Sequence, residues 1–143
     1  MNIHHIGYAV KSIEKSLPFF SQLGFEISNW GGGLTVDVCR NVNILFIQKG
    51  EYVIELISPI SENSPVDKIL EKNGAIPYHI CYEVDNLDET CRSLRQAGYL
   101  FVQKPALAPA IGDTAVVAFL YHPSVGLIEL VSFFNGVSKP PVS

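Results

Sequence analysis

Residues 5–25 read HIGYAVKSIEKSLPFFSQLGF and residues 79–99 read HICYEVDNLDETCRSLRQAGY, and the two stretches align without a gap at an offset of 74. His5 meets His79, Tyr8 meets Tyr82, Val10 meets Val84, Ile13 meets Leu87 and Gly24 meets Gly98. The same offset returns further along the chain: VIELIS at 53–58 falls on LIELVS at 127–132, so Glu55 lands on Glu129, and NILFI at 43–47 falls on VAFLY at 117–121. One offset shared by separate segments marks an internal repeat, here two copies of a module of roughly seventy residues.

Each copy reads as βαβββ. A β-branched, aromatic-rich run opens it, IHHIGYAV in the first and PYHICYEV in the second. A helix follows. In the second copy Asp85 or Asn86 can cap it, Leu87, Cys91 and Leu94 recur at helical spacing, and Gly98 suits the residue past its end. In the first copy Ser12 can cap, Ile13, Leu17 and Phe20 form the stripe, and Pro18 should kink the helix or delay its start. Three strands complete each module, near 25–30, 42–48 and 51–58, then near 99–103, 114–121 and 126–132, with Gly31, Gly32 and Gly33 as a connection in the first. Between modules Ser64 can cap a short helix with Pro65 at its first position and Gly74 at its end. The expected organisation is a single α+β domain over 1–134, with module one at 1–60, a linker helix at 64–74 and module two at 76–134. The tail at 135–143 carries no structural expectation.

Bulk properties narrow the function. The 143 residues suffice for a real core, and nearly half are apolar (48%), as in globular proteins. A net charge of −4 without any basic stripe argues against nucleic acid and anionic membrane as partners. Apolar runs are strand length, and the N-terminus lacks a basic segment followed by a hydrophobic stretch, so the expected location is cytoplasmic. Cys39, Cys81 and Cys91 are odd in number and lack zinc-ribbon spacing, which reads as buried free thiols.

Alternation along the strands singles out four polar residues. In the first strand Ile6, Tyr8 and Val10 share the face that should meet the helix, while His5 shares the other with Ile3, Gly7 and Ala9. His79 lies opposite Ile80, Tyr82 and Val84, Glu55 opposite Ile54 and Leu56, and Glu129 in line with Leu127 and Val131. Each module thus puts one His and one Glu on the sheet face away from its helix. A carboxylate in the middle of an apolar strand is normally paired, protonated or metal-bound. No Lys or Arg lies near in sequence; a divalent cation between copies facing each other about a two-fold axis would neutralise both acids and satisfy both imidazoles. His4 points to the helix side and reads as structural, and His122 in HisProSer reads as a turn residue. Cys81 and Glu83 share the face of His79 and read as packing and edge solvation.

With these residues in place, the chain resembles the vicinal oxygen chelate superfamily of glyoxalases, bleomycin resistance proteins and dioxygenases, over roughly residues 2–132. The resemblance implies βαβββ modules paired about a pseudo-two-fold axis into a cupped eight-stranded mixed sheet around a metal. His5 in HHIGYAV, Glu55 in VIELISP, His79 in YHICYEVDNLDE and Glu129 in GLIEL match its four ligands. The His/Glu/His/Glu set is shared with glyoxalase I. SPVDKILEKNG, HICYEVDNLD and VAFLYHP are similar to methylmalonyl-CoA epimerase.

Both relatives imply proton transfer next to a carbonyl of a thioester or hemithioacetal. Glu129 is then the main base, Glu55 a ligand and second base, and nickel, cobalt or zinc the cofactor, in an enzyme acting on a small molecule. Many relatives dimerise, so a homodimer is a further expectation. The chain departs from epimerases in lacking an acid on the strand NVNILFI, and in placing Ser124 where a Lys usually follows HisPro. The alternative is a non-catalytic protein of the same fold that sequesters an antibiotic or other small molecule. The intact ligand set argues against it, as two carboxylates argue against an iron dioxygenase.

Overall fold

The computed structural model describes residues 1–28 and 33–134; the expected tail, together with Gly31, Gly32 and the end of the strand expected near 25–30, lies outside them. Nine strands and three helices follow one another among the described residues. They are β1 (Asn2–Ala9), α1 (Ile13–Gln22), β2 (Glu26–Ile27), β3 (Thr35–Asp37), β4 (Val42–Lys49) and β5 (Tyr52–Pro59). Then come α2 (Asp67–Asn73), β6 (Ile76–Glu83), α3 (Leu87–Gln96), β7 (Leu100–Leu107), β8 (Ala115–His122) and β9 (Gly126–Phe133). The class is α+β with mixed strand pairing, as expected. The ninth strand is β3, three residues on the edge of β4 that sequence reading left in a connection.

The described residues fall into two compact units: His5–Tyr78, and Met1–His4 together with His79–Phe134. In the first unit the strand order is β2-β4-β5-β1, with β3 also on β4; in the second it is β6-β9-β8-β7. The opening strand of each copy pairs in parallel with the last, β1 with β5 and β6 with β9. The last two strands of each copy form an antiparallel hairpin.

Each helix covers one face of its own strands. Val10, Ile13, Leu45, Ile47 and Leu56 are buried together in the first unit, with Tyr8, Leu17, Phe20 and Phe25 against them. Val84, Leu87, Cys91, Ala118, Leu120 and Leu130 do the same in the second, with Tyr82, Leu94 and Tyr99. The two lists correspond residue by residue at an offset of 74, except on the third strand of each copy. There Leu45 answers to Ala118 and Ile47 to Leu120, an offset of 73. The alignment of 43–47 on 117–121 is therefore corrected by one position. The cause is the hairpin turn. Lys49 pairs with Tyr52 around two residues, whereas His122 pairs with Gly126 around three. One extra turn residue moves the preceding strand by one in the alignment and preserves which side chains face the helix.

Local signals account for the helix ends. Ser12 accepts a hydrogen bond from the Lys15 amide at 3.2 Å, and Asn86 one from Glu89 at 3.0 Å. Helix α1 begins directly after Ser12 and runs through Pro18, so its start is not delayed. Proline lacks the amide that would bond Glu14, four residues back, and that bond is simply missing from the ladder. The linker helix departs from expectation: it starts at Asp67 after a Val66 cap that makes no side-chain bond. Ser64 instead donates its backbone amide to the Asp67 carboxylate at 2.9 Å, the reverse half of a capping pair. Gly74, at φ +70, ends it as read. Asn86→Ala should cost about 1 kcal/mol of stability. Urea unfolding would read it as a lower midpoint at unchanged slope, and an unchanged midpoint would deny the cap its role.

Candidate active site

In each unit a histidine and a glutamate meet on the face the helix leaves uncovered. Gly7 is the register partner of Glu55 across β1 and β5, and His5, two residues earlier, shares the face of Gly7. The His5 Nε2 comes to 3.4 Å from Glu55 Oε1. The second unit repeats the arrangement: Cys81 is the register partner of Glu129, and His79 stands two residues before it. The His79 Nε2 and Glu129 Oε1 are hydrogen-bonded at 3.1 Å. Parity and parallel pairing suffice to bring each pair together, because a residue and its diagonal neighbour on the adjacent strand share a face.

All four side chains are buried: His5 is 1% exposed, Glu55 5%, His79 4% and Glu129 3%. Each imidazole also has an aromatic edge beside it. His5 packs against Phe46 with ring centroids 5.5 Å apart, and His79 against Phe119 at 5.4 Å, both edge-on. Phe46 and Phe119 are the hairpin partners of Glu55 and Glu129. Sequence reading missed them, because an offset of 74 sets Phe46 against Leu120; the differing turn lengths were the signal that would have found the match. The apolar rings exclude water from each pair, which strengthens its electrostatic interactions.

Two imidazoles and two carboxylates, all buried, are of the kind that could hold a metal ion. Nitrogen and carboxylate donors suit nickel, cobalt and zinc. Within each unit a buried carboxylate stands beside a buried imidazole, and a cation would offset the negative charge that burial makes costly.

The remaining candidates fall outside these pairs. His4, expected on the helix side, is wholly buried with its ring 5.7 Å from that of Phe133. His122 closes the β8–β9 turn, its Nδ1 accepting the Ser124 amide at 3.0 Å, and its ring packs at a tilt against Tyr99. Cys81 and Cys91 are buried as expected, but Cys39 is exposed. Burial, and the Asp88 carboxylate after it, push the Cys91 thiol above its ordinary range. Arg92 and Arg95 line a groove of about 550 Å³ with Cys91 and Phe101, on the helix side of the second unit.

This fold and these paired residues define a class. The chain belongs to the Glyoxalase/Bleomycin resistance protein/Dioxygenase superfamily, whose model matches residues 4–119. Within it, the chain is similar to the ethylmalonyl-CoA/methylmalonyl-CoA epimerase of Cereibacter sphaeroides, with 33% identity over 85% of this chain and 87% of the relative. It is also similar to the mitochondrial methylmalonyl-CoA epimerase of Homo sapiens, at 31% identity over 90% and 72%. A solved structure of a methylmalonyl-CoA epimerase in complex with methylmalonyl-CoA and NH4+ superposes with a TM-score of 0.78 at 25% identity, covering 96% of this chain and 97% of that one. These likenesses support an epimerase-like enzyme. No described helix is long and apolar enough to cross a membrane.

Proposed function

We propose that the chain is a metal-dependent epimerase of an acyl-CoA thioester of the methylmalonyl type, with His5, Glu55, His79 and Glu129 holding one divalent cation. The observation that carries this reading is the duplication itself: a buried carboxylate beside a buried imidazole on equivalent strands of both copies. Inverting a carbon centre requires a proton to leave one face and another to arrive on the opposite face. Two carboxylates supplied by two repeats meet that requirement, where a sequestering protein would need neither.

The carbon–hydrogen bond beside a thioester carbonyl is too weakly acidic to break at neutral pH without help. A bound divalent cation supplies Lewis acidity toward the carbonyl oxygen. Glu129 takes the proton as general base, and Glu55 serves the opposite face. His5 and His79 stand 3.4 Å and 3.1 Å from the two carboxylates, near enough for each imidazole and its acid to turn to the same cation. The edge-on Phe46 and Phe119 keep water from quenching the bases. The likeness to epimerases of methylmalonyl-CoA supports a coenzyme A thioester as the substrate handle. The other proton transfer of this class, on a glutathione hemithioacetal, would use the same residues.

The test is to incubate the protein, loaded in turn with nickel, cobalt and zinc, with methylmalonyl-CoA in deuterated water. Deuterium at the 2-carbon with loss of stereochemical purity is expected. Exchange with the glutathione hemithioacetal of methylglyoxal, and none with the thioester, would move the assignment to lyase chemistry. Tight ligand binding with no exchange in either would overturn the catalytic reading.

A further inference from the structure

Strand β7 carries an irregularity that changes which of its side chains meets the candidate active site. Phe101 pairs with Leu120, so plain alternation would set Val102 opposite Phe119. A register shift intervenes, and Gln103 pairs with Phe119 instead. Extra residues of this kind re-aim side chains. Phe119 is in turn the partner of Glu129. Register partners share a face, so Gln103, Phe119 and Glu129 stand in one row across β7, β8 and β9, all within the second unit. Two strand spacings, about 10 Å, separate the ends of that row. Gln103 is half-buried, yet its side-chain nitrogen Nε2 is closed off from solvent and has no hydrogen-bond partner among the described residues. A buried amide N–H left unpaired is costly and rare in folded proteins, and an acceptor brought by a ligand would complete it.

We propose that Gln103 is a specificity residue whose amide donates a hydrogen bond to the free carboxylate of a malonyl-type thioester, and so selects substrates that carry one. The assignment rests on the acyl-thioester reading above. A substrate of that kind attaches its carboxylate to the same carbon that exchanges a proton. With that carbon at Glu129, two negative charges repel unless the substrate's carboxylate turns aside. Toward β6 it would meet Glu83, which shares the face of Cys81 and His79. Toward β7 it meets the Gln103 amide instead. The paired positions that flank Gln103 on β7 are Leu100 and Ala106, which offer no competing charge. A neutral donor holds the anion there without adding a cation beside the base. The terminal torsion of a glutamine is broad, so the amide swings to an oxygen arriving over Phe119 while the strand stays in place.

The experiment titrates the full chain, in the presence of nickel, with methylmalonyl-CoA and with propionyl-CoA, which differs only in lacking the free carboxylate. Calorimetry reads each affinity, and the parent protein should prefer methylmalonyl-CoA. Gln103→Leu keeps the bulk, removes the donor and leaves no unpaired polar group, so the fold should hold. It should weaken methylmalonyl-CoA binding about 10- to 100-fold, the scale of a hydrogen bond to a charged group, and leave propionyl-CoA within about twofold. Gln103→Glu, equal in length but with a charged acceptor in place of the donor, should lose at least as much. Circular dichroism checks that both variants are folded. Equal weakening of the two thioesters would reduce Gln103 to a packing residue and overturn the assignment. So would a preference kept in Gln103→Leu, or a parent protein that binds methylmalonyl-CoA no better than propionyl-CoA. Deuterium exchange is followed separately. A parent that prefers methylmalonyl-CoA through Gln103 but never exchanges its proton would refute the epimerase reading and leave the role of Gln103 standing.

Discussion

Glu129→Gln is expected to slow deuterium exchange into the thioester substrate by a factor of roughly 10²–10⁴, the scale of losing a positioned general base. The substitution keeps an oxygen of the same reach, so divalent metal affinity should fall far less than rate. It also keeps a hydrogen-bonding group for His79, now 3.1 Å from the Glu129 oxygen, so the fold should survive. Glu55→Gln is the informative partner. If the two carboxylates serve opposite faces, each variant should retain wash-in from one stereoisomer while losing interconversion. The measurement is proton exchange followed separately for the two isomers by nuclear magnetic resonance. Full exchange of both isomers in Glu129→Gln would exclude it as a base.

Loss of either His5 or His79 should remove the divalent cation, while loss of His4, equally buried, should not. His5→Ala and His79→Ala each delete one of four donors and leave a buried carboxylate with its partner gone. His4→Ala deletes an imidazole whose described company is Phe133. In the parent protein, metal at about 100 times its dissociation constant should add about 2.7 kcal/mol to folding stability. That increment should vanish in His5→Ala and His79→Ala and persist in His4→Ala. The readout is the melting temperature with and without nickel, cobalt or zinc, with metal content of the purified protein as an independent check. Equal loss in His4→Ala would mean that strand alternation had assigned the faces of β1 wrongly.

Much of this could be read from residues alone because the strands are short and alternate cleanly. The face of each His and Glu followed from parity, and the pairing of β1 with β5 and of β6 with β9 turns that parity into contacts of 3.4 Å and 3.1 Å. Asn86 and Ser12 were legible as caps because the side chain that caps is local to the helix it starts. The failures have a common cause in geometry that spans more than one element. Phe46 and Phe119 could be matched only by knowing that one hairpin turns in two residues and the other in three. Strand β3 exists because β4 offers it an edge, through pairs such as Thr35 with Ile44, and nothing within TVD itself demands a strand. Ser64 looked like a cap and instead gives its amide to Asp67, because the chain there turns before it coils. Cys39 was grouped with buried thiols by composition, and composition does not see that it lies in the turn after β3.

The division of β1 bears on how the protein is made. His5 and the residues after it lie in the unit completed by Tyr78, but Met1–His4 lie in the unit that starts at His79. The His4 ring packs against that of Phe133, which lies far along the chain. Contacts at such separation close slowly, because the entropy of the intervening loop is lost before anything is gained. Docking of Met1–His4 onto the unit from His79 is therefore expected late in refolding. A substitution that weakens the contact of His4 with Phe133 should slow that late step while leaving formation of the unit His5–Tyr78 undisturbed.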